Sequence, residues 1–176
     1  MSDTISREKF LKTTALAGAA LLVSSLEGWA ASMLDKKLRV AVIGCGSVSN
    51  RYIPQLLSSK WIELVSLCDI KPERAVAQNK EYKVNAATYG HIDEMLKGVP
   101  FDMMVTLTDM QLHGELNKKA LLAGKHVWSE KPMANTYAEG KALLDLATSK
   151  KLRIWGAPAV VNSPQFAYMS KMIQEG

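Results

Sequence analysis

A short apolar run that stops at a glycine turn and then opens a helix restricts this chain more than any other feature. Leu38-Arg39-Val40-Ala41-Val42-Ile43 is rich in β-branched residues and ends at Gly44-Cys45-Gly46-Ser47-Val48-Ser49, after which helical periodicity begins. Strand, glycine turn and helix in that order are the first half of a βαβ unit, whose return strand is parallel and whose sheet is covered by helices. Gly44 permits the tight turn, Gly46 lets backbone approach a pyrophosphate, and Ser49 stands where the helix must pack closely on the strand. Backbone around Cys45, Ser47 and Val48 then lies beside the helix N-terminus, where free N–H groups and the helix dipole favour a phosphate. A glycine turn alone is a weak signal, because such turns without ligands are common.

The same alternation of strand and helix continues along the chain. Ile62–Cys68 reads as a second strand ending at Asp69, and Pro72 suits the first turn of a helix to about Lys80. A third strand is expected near Val84–Thr88, with a short helix over Ile92–Lys97. Asp102–Leu107 is a fourth strand, and Gln111–Ala123 a helix closed by Gly124. His126-Val127-Trp128 is the fifth strand, Thr136–Thr148 a helix, Leu152–Trp155 a sixth strand and Pro164–Gln174 a last helix. The fold class is therefore α/β, a doubly wound parallel sheet of the Rossmann type, with the glycine turn read as a helix start at Ser47.

Asp69 lies 25 residues beyond Gly44, at the end of the second strand. A carboxylate there can accept both ribose hydroxyls of an adenosine and repels a 2′-phosphate, which favours NAD over NADP. Lys71 and Arg74 are close enough to soften that preference. A methyltransferase also places an acid after strand two, but its glycine loop usually has an acid just upstream, where this chain has Val42-Ile43. At the fifth strand, Ser129-Glu130-Lys131-Pro132 puts a carboxylate and an ammonium where parallel sheets open their ligand crevice. Pro132 cannot donate to a ladder and restricts Lys131, so the strand ends there.

Taken together, Val-Ala-Val-Ile-Gly-Cys-Gly, Cys68-Asp69-Ile70, Thr108 with His113, Ala123-Gly124-Lys125-His126-Val127 and Glu130-Lys131-Pro132 resemble the glucose–fructose oxidoreductase / myo-inositol dehydrogenase (Gfo/Idh/MocA) family over about residues 37–163. The resemblance implies hydride transfer between NAD(P) and a carbon bearing a hydroxyl of a sugar or polyol. It implies that Lys131 reaches toward the nicotinamide and the substrate hydroxyl, that Glu130 lies by the nicotinamide ribose, and that Thr108 and His113 belong to the cofactor site. For His113 a structural role, packing its loop, is equally open. It also implies a second, mixed α/β domain with a catalytic histidine or aspartate, to which residues 164–176 would begin a linker helix. Without that domain the chain alone would be inactive, and family members often pair through it, so any homo-oligomer would depend on it. Two departures bear on substrate: Thr108-Asp109-Met110 replaces Thr-Pro-Asn, and Gly156–Asn162 lacks an arginine many members carry. Two other readings stand beside net oxidation, namely a glycoside-cleaving relative that regenerates its NAD within a cycle, and a nucleotide-binding module without turnover.

Composition narrows partners. Net charge is +5 from 22 basic and 17 acidic residues, but the bases are scattered and interleaved with acids, which argues against a nucleic-acid partner. Cys45 and Cys68 have neither zinc nor CxxC spacing, so buried free thiols are expected and no metal site. Residues 1–31 are different material. Arg7, Lys9 and Lys12 precede the apolar Ala15–Val23, and Gly28-Trp29-Ala30 could be a cleavage site, the layout of an export signal too short to span a membrane. Ser6-Arg7-Glu8-Lys9-Phe10-Leu11-Lys12 resembles a twin-arginine signal with Glu8 in the place of the second arginine, so a periplasmic protein is expected, its route open.

Overall fold

Six parallel strands hydrogen-bond in the order β3-β2-β1-β4-β5-β6 in a computed structural model that describes residues 36–157 and 163–176. The strands are β1 (Leu38–Ile43), β2 (Ile62–Cys68), β3 (Ala87–Tyr89), β4 (Met103–Thr106), β5 (His126–Ser129) and β6 (Ile154–Gly156). Helices α1 (Ser49–Ser58), α2 (Pro72–Glu81), α3 (Ile92–Lys97), α4 (His113–Leu122), α5 (Tyr137–Ser149) and α6 (Pro164–Glu175) connect or follow them. The doubly wound parallel sheet expected from the alternation is thus present. The expected export signal and the Pro158–Asn162 stretch lie outside the described residues. Among the described residues no helix is long and apolar enough to cross a membrane.

Strand period decides which side chains enter which layer. Ala41 and Ile43 point into a core with Met104, Leu116, Leu121, Val127 and Leu143, while Val40 and Val42 point into the opposite one with Ile53, Leu64, Leu67 and Val105. Because side chains alternate across a strand, a parallel sheet buried on both faces needs consecutive apolar residues, and β1 supplies Val40 through Ile43, each at most 5% exposed. Arg39 clamps the far end of β1: its Nη2 and Nε donate to the Asp102 carboxylate at 2.8 and 3.2 Å, and its own N–H donates to Oδ2 at 3.0 Å. That carboxylate holds the guanidinium charged, raising its pKa.

The structure moves several expected boundaries. The first helix starts at Ser49 and not at Ser47, because residues after Gly46 form a turn in which Ser49 N–H bonds Gly46 C=O at 3.1 Å. The third strand lies at Ala87–Tyr89, in register with Ser66–Cys68, later than its apolar composition suggested. The helix expected from Gln111 is a 3₁₀ turn over Met110–Leu112 leading into α4. Gly124 does close that helix, at φ +77°, a conformation that costs most residues but not glycine. Cys45 and Cys68 are both buried free thiols, as their spacing implied.

Candidate functional site

Strand order reverses direction of winding between β1 and β4, and the two glycines of the first turn sit at that point. Gly44 is at φ +95°, and a Cβ there would stand 2.6 Å from the Leu107 carbonyl carbon and 2.7 Å from Thr108 N. Any other residue would be strained twice, by its dihedral and by the backbone crossing from β4. Gly46 is the opposite case: a Cβ there meets nothing within 4 Å, so its missing side chain leaves the turn's outer surface open. Ser49 is wholly buried, and its hydroxyl donates to Gly46 C=O at 2.6 Å, so a larger residue would lift α1 off the sheet. No side chain caps the N-terminus of α1, and its first turn carries Arg51 and no acid. The Ser49, Asn50 and Arg51 N–H groups bond the Gly46, Ser47 and Val48 carbonyls, so it is the positive end of the dipole and the Arg51 guanidinium that suit an anion there.

Asp69 is 6% exposed and braces this turn. Its Oδ2 accepts the Cys45 N–H at 2.8 Å and its Oδ1 the Lys71 N–H at 2.9 Å. Cys45, expected beside a phosphate, therefore has its N–H committed to a carboxylate, and its own thiol is buried. Asp69 keeps capacity for a hydroxyl donor, since a carboxylate has about four lone-pair sites. Burial and the adjacent Asp69 push both thiols up to about 12, so neither is a nucleophile at neutral pH.

A cleft of about 280 Å³ runs from the glycine turn past Asp69, lined on its walls by Ile70, Arg74, His91, Leu107 and Thr108. Small-molecule sites span roughly 300–1,000 Å³, so this cleft takes one part of a dinucleotide and not all of it. Its lining mixes apolar Ile43, Ile92 and Leu107 with the carboxylates of Asp69, Asp109 and Glu115 and the cations of Arg74 and Lys119, so Asp69 is one of several polar groups that a ligand there can meet. Of the expected residues, Gly44, Gly46, Asp69 and Thr108 line the cleft. Ser47 and Val48 are exposed on the rim of α1.

The Glu-Lys-Pro turn at the end of β5 is cross-braced from beneath by α4. His113 and Asn117 are one helical turn apart and so share a face. His113 Nδ1 lies 2.7 Å from Pro132 C=O and its Nε2 lies 2.9 Å from Thr108 C=O. Asn117 Nδ2 donates to Met133 C=O at 3.0 Å and to Ser129 Oγ at 2.9 Å, and its Oδ1 accepts from Thr106 Oγ1 at 2.8 Å. Ser129 Oγ in turn donates to Glu130 C=O at 2.9 Å. His113 and Asn117 are at most 1% exposed. Such a buried network is worth its cost only when every member is paired, and then it holds one geometry. His113 is buried and both its ring nitrogens face carbonyls, which favours the packing role over a cofactor contact.

Above this brace Lys131 is exposed, its N–H donating to Glu130 Oε2 at 2.9 Å, and the peptide into Pro132 is cis. Glu130 Oε1 accepts the Tyr52 hydroxyl at 2.7 Å. Tyr52 and Asn117 are the two residues sequence reasoning missed. Asn117 had a signal, a polar residue amid Leu116, Ala120 and Leu121 and one turn from the motif histidine. Tyr52 had none, because its partner is 78 residues away.

A family model described as "Oxidoreductase family, NAD-binding Rossmann fold" (GFO_IDH_MocA) matches residues 38–157. The D-glucoside 3-dehydrogenase of Escherichia coli is 33% identical over 122 residues, which cover 69% of this chain and 34% of that protein. An uncharacterised oxidoreductase of Schizosaccharomyces pombe is 36% identical over 118 residues, 65% of this chain and 32% of the relative. Among solved structures, the WlbA dehydrogenase of Chromobacterium violaceum, crystallised with NADH and UDP-GlcNAcA, aligns with TM-score 0.72 at 26% identity. That alignment covers 80% of this chain and 41% of the other. The chain thus spans about a third of the length of these curated relatives.

Proposed function

The chain belongs to the oxidoreductase family with the NAD-binding Rossmann fold, and from that premise we propose that it is the nucleotide-binding half of an enzyme moving hydride between NAD(P) and a hydroxyl-bearing carbon of a sugar or polyol. The observation that carries this reading is an open glycine turn at the switch point of the sheet, joined through α1 by the Tyr52–Glu130 hydrogen bond to a rigid Glu-Lys-Pro turn. Open space over Gly46 and the positive end of the α1 dipole, with no acid in its first turn, fit the pyrophosphate. Asp69 fits the adenosine ribose, favouring NAD, with Arg74 on the same cleft wall leaving NADP open. NAD(P), when bound, would supply the hydride acceptor or donor, with Glu130 and Lys131 as the residues that would hold its nicotinamide end.

The residues then divide the remaining work. Glu130, with its carboxylate fixed by Tyr52 and the Lys131 N–H, would accept hydrogen bonds from the nicotinamide ribose. The Lys131 ammonium, on an exposed turn pinned by His113 and Asn117, orients the substrate hydroxyl and shares its proton with a base from outside this chain. Carbohydrate substrates are supported by relatives named for glucosides and inositols. Turnover by the full-length protein tests the reading: NAD with a panel of aldoses, polyols and glycosides, followed by NADH absorbance. Accumulating NADH with free sugars supports it. Cleavage of a glycoside with catalytic NAD and no NADH, or NAD binding without any reaction, contradicts it. The basic-then-apolar layout of residues 1–31 supports export, which cell fractionation checks: a periplasmic pool is expected, and an entirely cytoplasmic one refutes it.

A further inference from the structure

We propose that Tyr52 is a positioning residue that acts through Glu130, tying the helix of the glycine turn to the carboxylate beside Lys131. Tyr52 stands on the first turn of α1, the helix whose N-terminus opens on the glycine turn. Its hydroxyl donates to Glu130 Oε1 at 2.7 Å, while the other oxygen, Oε2, accepts the Lys131 N–H at 2.9 Å. One oxygen of Glu130 is therefore set by its own turn and the other by α1. Without Tyr52 the carboxylate has only the local contact and can rotate about its side-chain torsions. A hydrogen bond to an ionised acceptor is among the stronger kinds, which suits a fixing role.

The tyrosine is itself held. Its ring packs against the core that contains Ile53 and Leu67, as Leu56 and Trp128 also do. Burial first, and then Glu130, raise the phenol above its ordinary range, so it remains a donor throughout the neutral range. This bond runs from α1 and not from α4, so the Glu-Lys-Pro turn is fixed from two helices, by His113 and Asn117 on α4 and by Tyr52 on α1. The inference rests on the reading of Glu130 as a cofactor contact. If it holds, α1 reports to the reacting end as well as holding the phosphates.

A double-mutant cycle on the full chain tests it, with NADH affinity measured by fluorescence for wild type, Tyr52→Phe, Glu130→Gln and the pair. Thermal midpoints alongside verify that each variant is folded. Tyr52→Phe should weaken NADH about five- to tenfold. Glu130→Gln should weaken it at least as much, and the double variant no more than Glu130→Gln alone, because the tyrosine acts only through the carboxylate. Undiminished affinity in Tyr52→Phe overturns the role, as do two losses that multiply in the double variant. Should a misfolded Tyr52→Phe obscure the result, Tyr52→His, which keeps a donor, restores affinity under the proposal and does not under a purely packing role. Failure of the folded wild type to bind NADH refutes the nucleotide site itself, a result distinct from wild-type binding that Tyr52→Phe leaves intact.

Discussion

The turn after β1 is shaped by backbone, and the turn after β5 by side chains. At the first, Gly44 takes a left-handed φ against the Leu107 carbonyl, Gly46 leaves open space, and one carboxylate, Asp69, braces the loop through the Cys45 N–H. At the second, Pro132, Met133 and Glu130 carbonyls are each gripped by a buried side chain from α4 or β5. The difference follows what each turn must do. A phosphate is bound by N–H groups, so side chains there are obstacles and glycine is the solution. A reacting ammonium and carboxylate must be aimed, and aiming needs supports whose own positions are locked by packing and hydrogen bonds.

The contrast can be broken at either turn. The largest effect is expected at Lys131: Lys131→Ala in the full-length protein should lower kcat about 10²–10⁴-fold, the usual span for one acid–base group, and leave the NADH dissociation constant within twofold. Equal losses in both would make Lys131 a binding residue only. Next, Gly44→Ala should cost about 2–4 kcal/mol of stability from strain and overlap, read as a fall in the denaturant midpoint. Gly46→Ala should leave that midpoint alone. Equal midpoints for the two variants would refute the division of labour between the glycines.

Asn117→Ala removes the hydrogen bonds to Thr106, Ser129 and Met133 and leaves their buried polar atoms short of a partner, for which about 2–4 kcal/mol is expected. It should also loosen the Glu-Lys-Pro turn, so that kcat falls more than NADH affinity. The smallest effect near neutral pH concerns the thiols. With folded values pushed up to about 12 from an ordinary value near 9, the folded state holds protons the unfolded state has lost between those pH values. Stability from these groups is therefore complete below pH 9 and declines as pH rises toward 12. Titration with a thiol reagent at pH 8 should find both cysteines silent until the chain unfolds, and rapid labelling of the native chain would contradict their burial.

Much of this was legible in the sequence for a physical reason. Parallel strands buried on both faces leave continuous apolar runs; Val40–Ile43 is one, and Leu64–Cys68 is another broken only by the buried Ser66. Gly44, Gly46, Asp69 and Glu130-Lys131-Pro132 could be read because each is a local solution: a dihedral, an open approach, a strand end. Boundaries were less legible where tertiary pairing decides them, as at β3, whose extent follows Ser66–Cys68 more than its own composition. His113 was found but its work was open, since sequence cannot say whether a motif histidine faces a ligand or two carbonyls. Tyr52 was invisible, because nothing at position 52 marks a bond to position 130.

One titration bears most directly on the claim that the glycine turn is the nucleotide site: NADH binding by the wild-type chain and by Gly46→Val. A Cβ at 46 meets nothing within 4 Å, so the variant should fold with an unchanged thermal midpoint. One NADH should bind per wild-type chain, and binding by Gly46→Val should be at least tenfold weaker, because its side chain fills the space over the turn. Equal affinity in the two folded proteins would place the nucleotide elsewhere and contradict the claim.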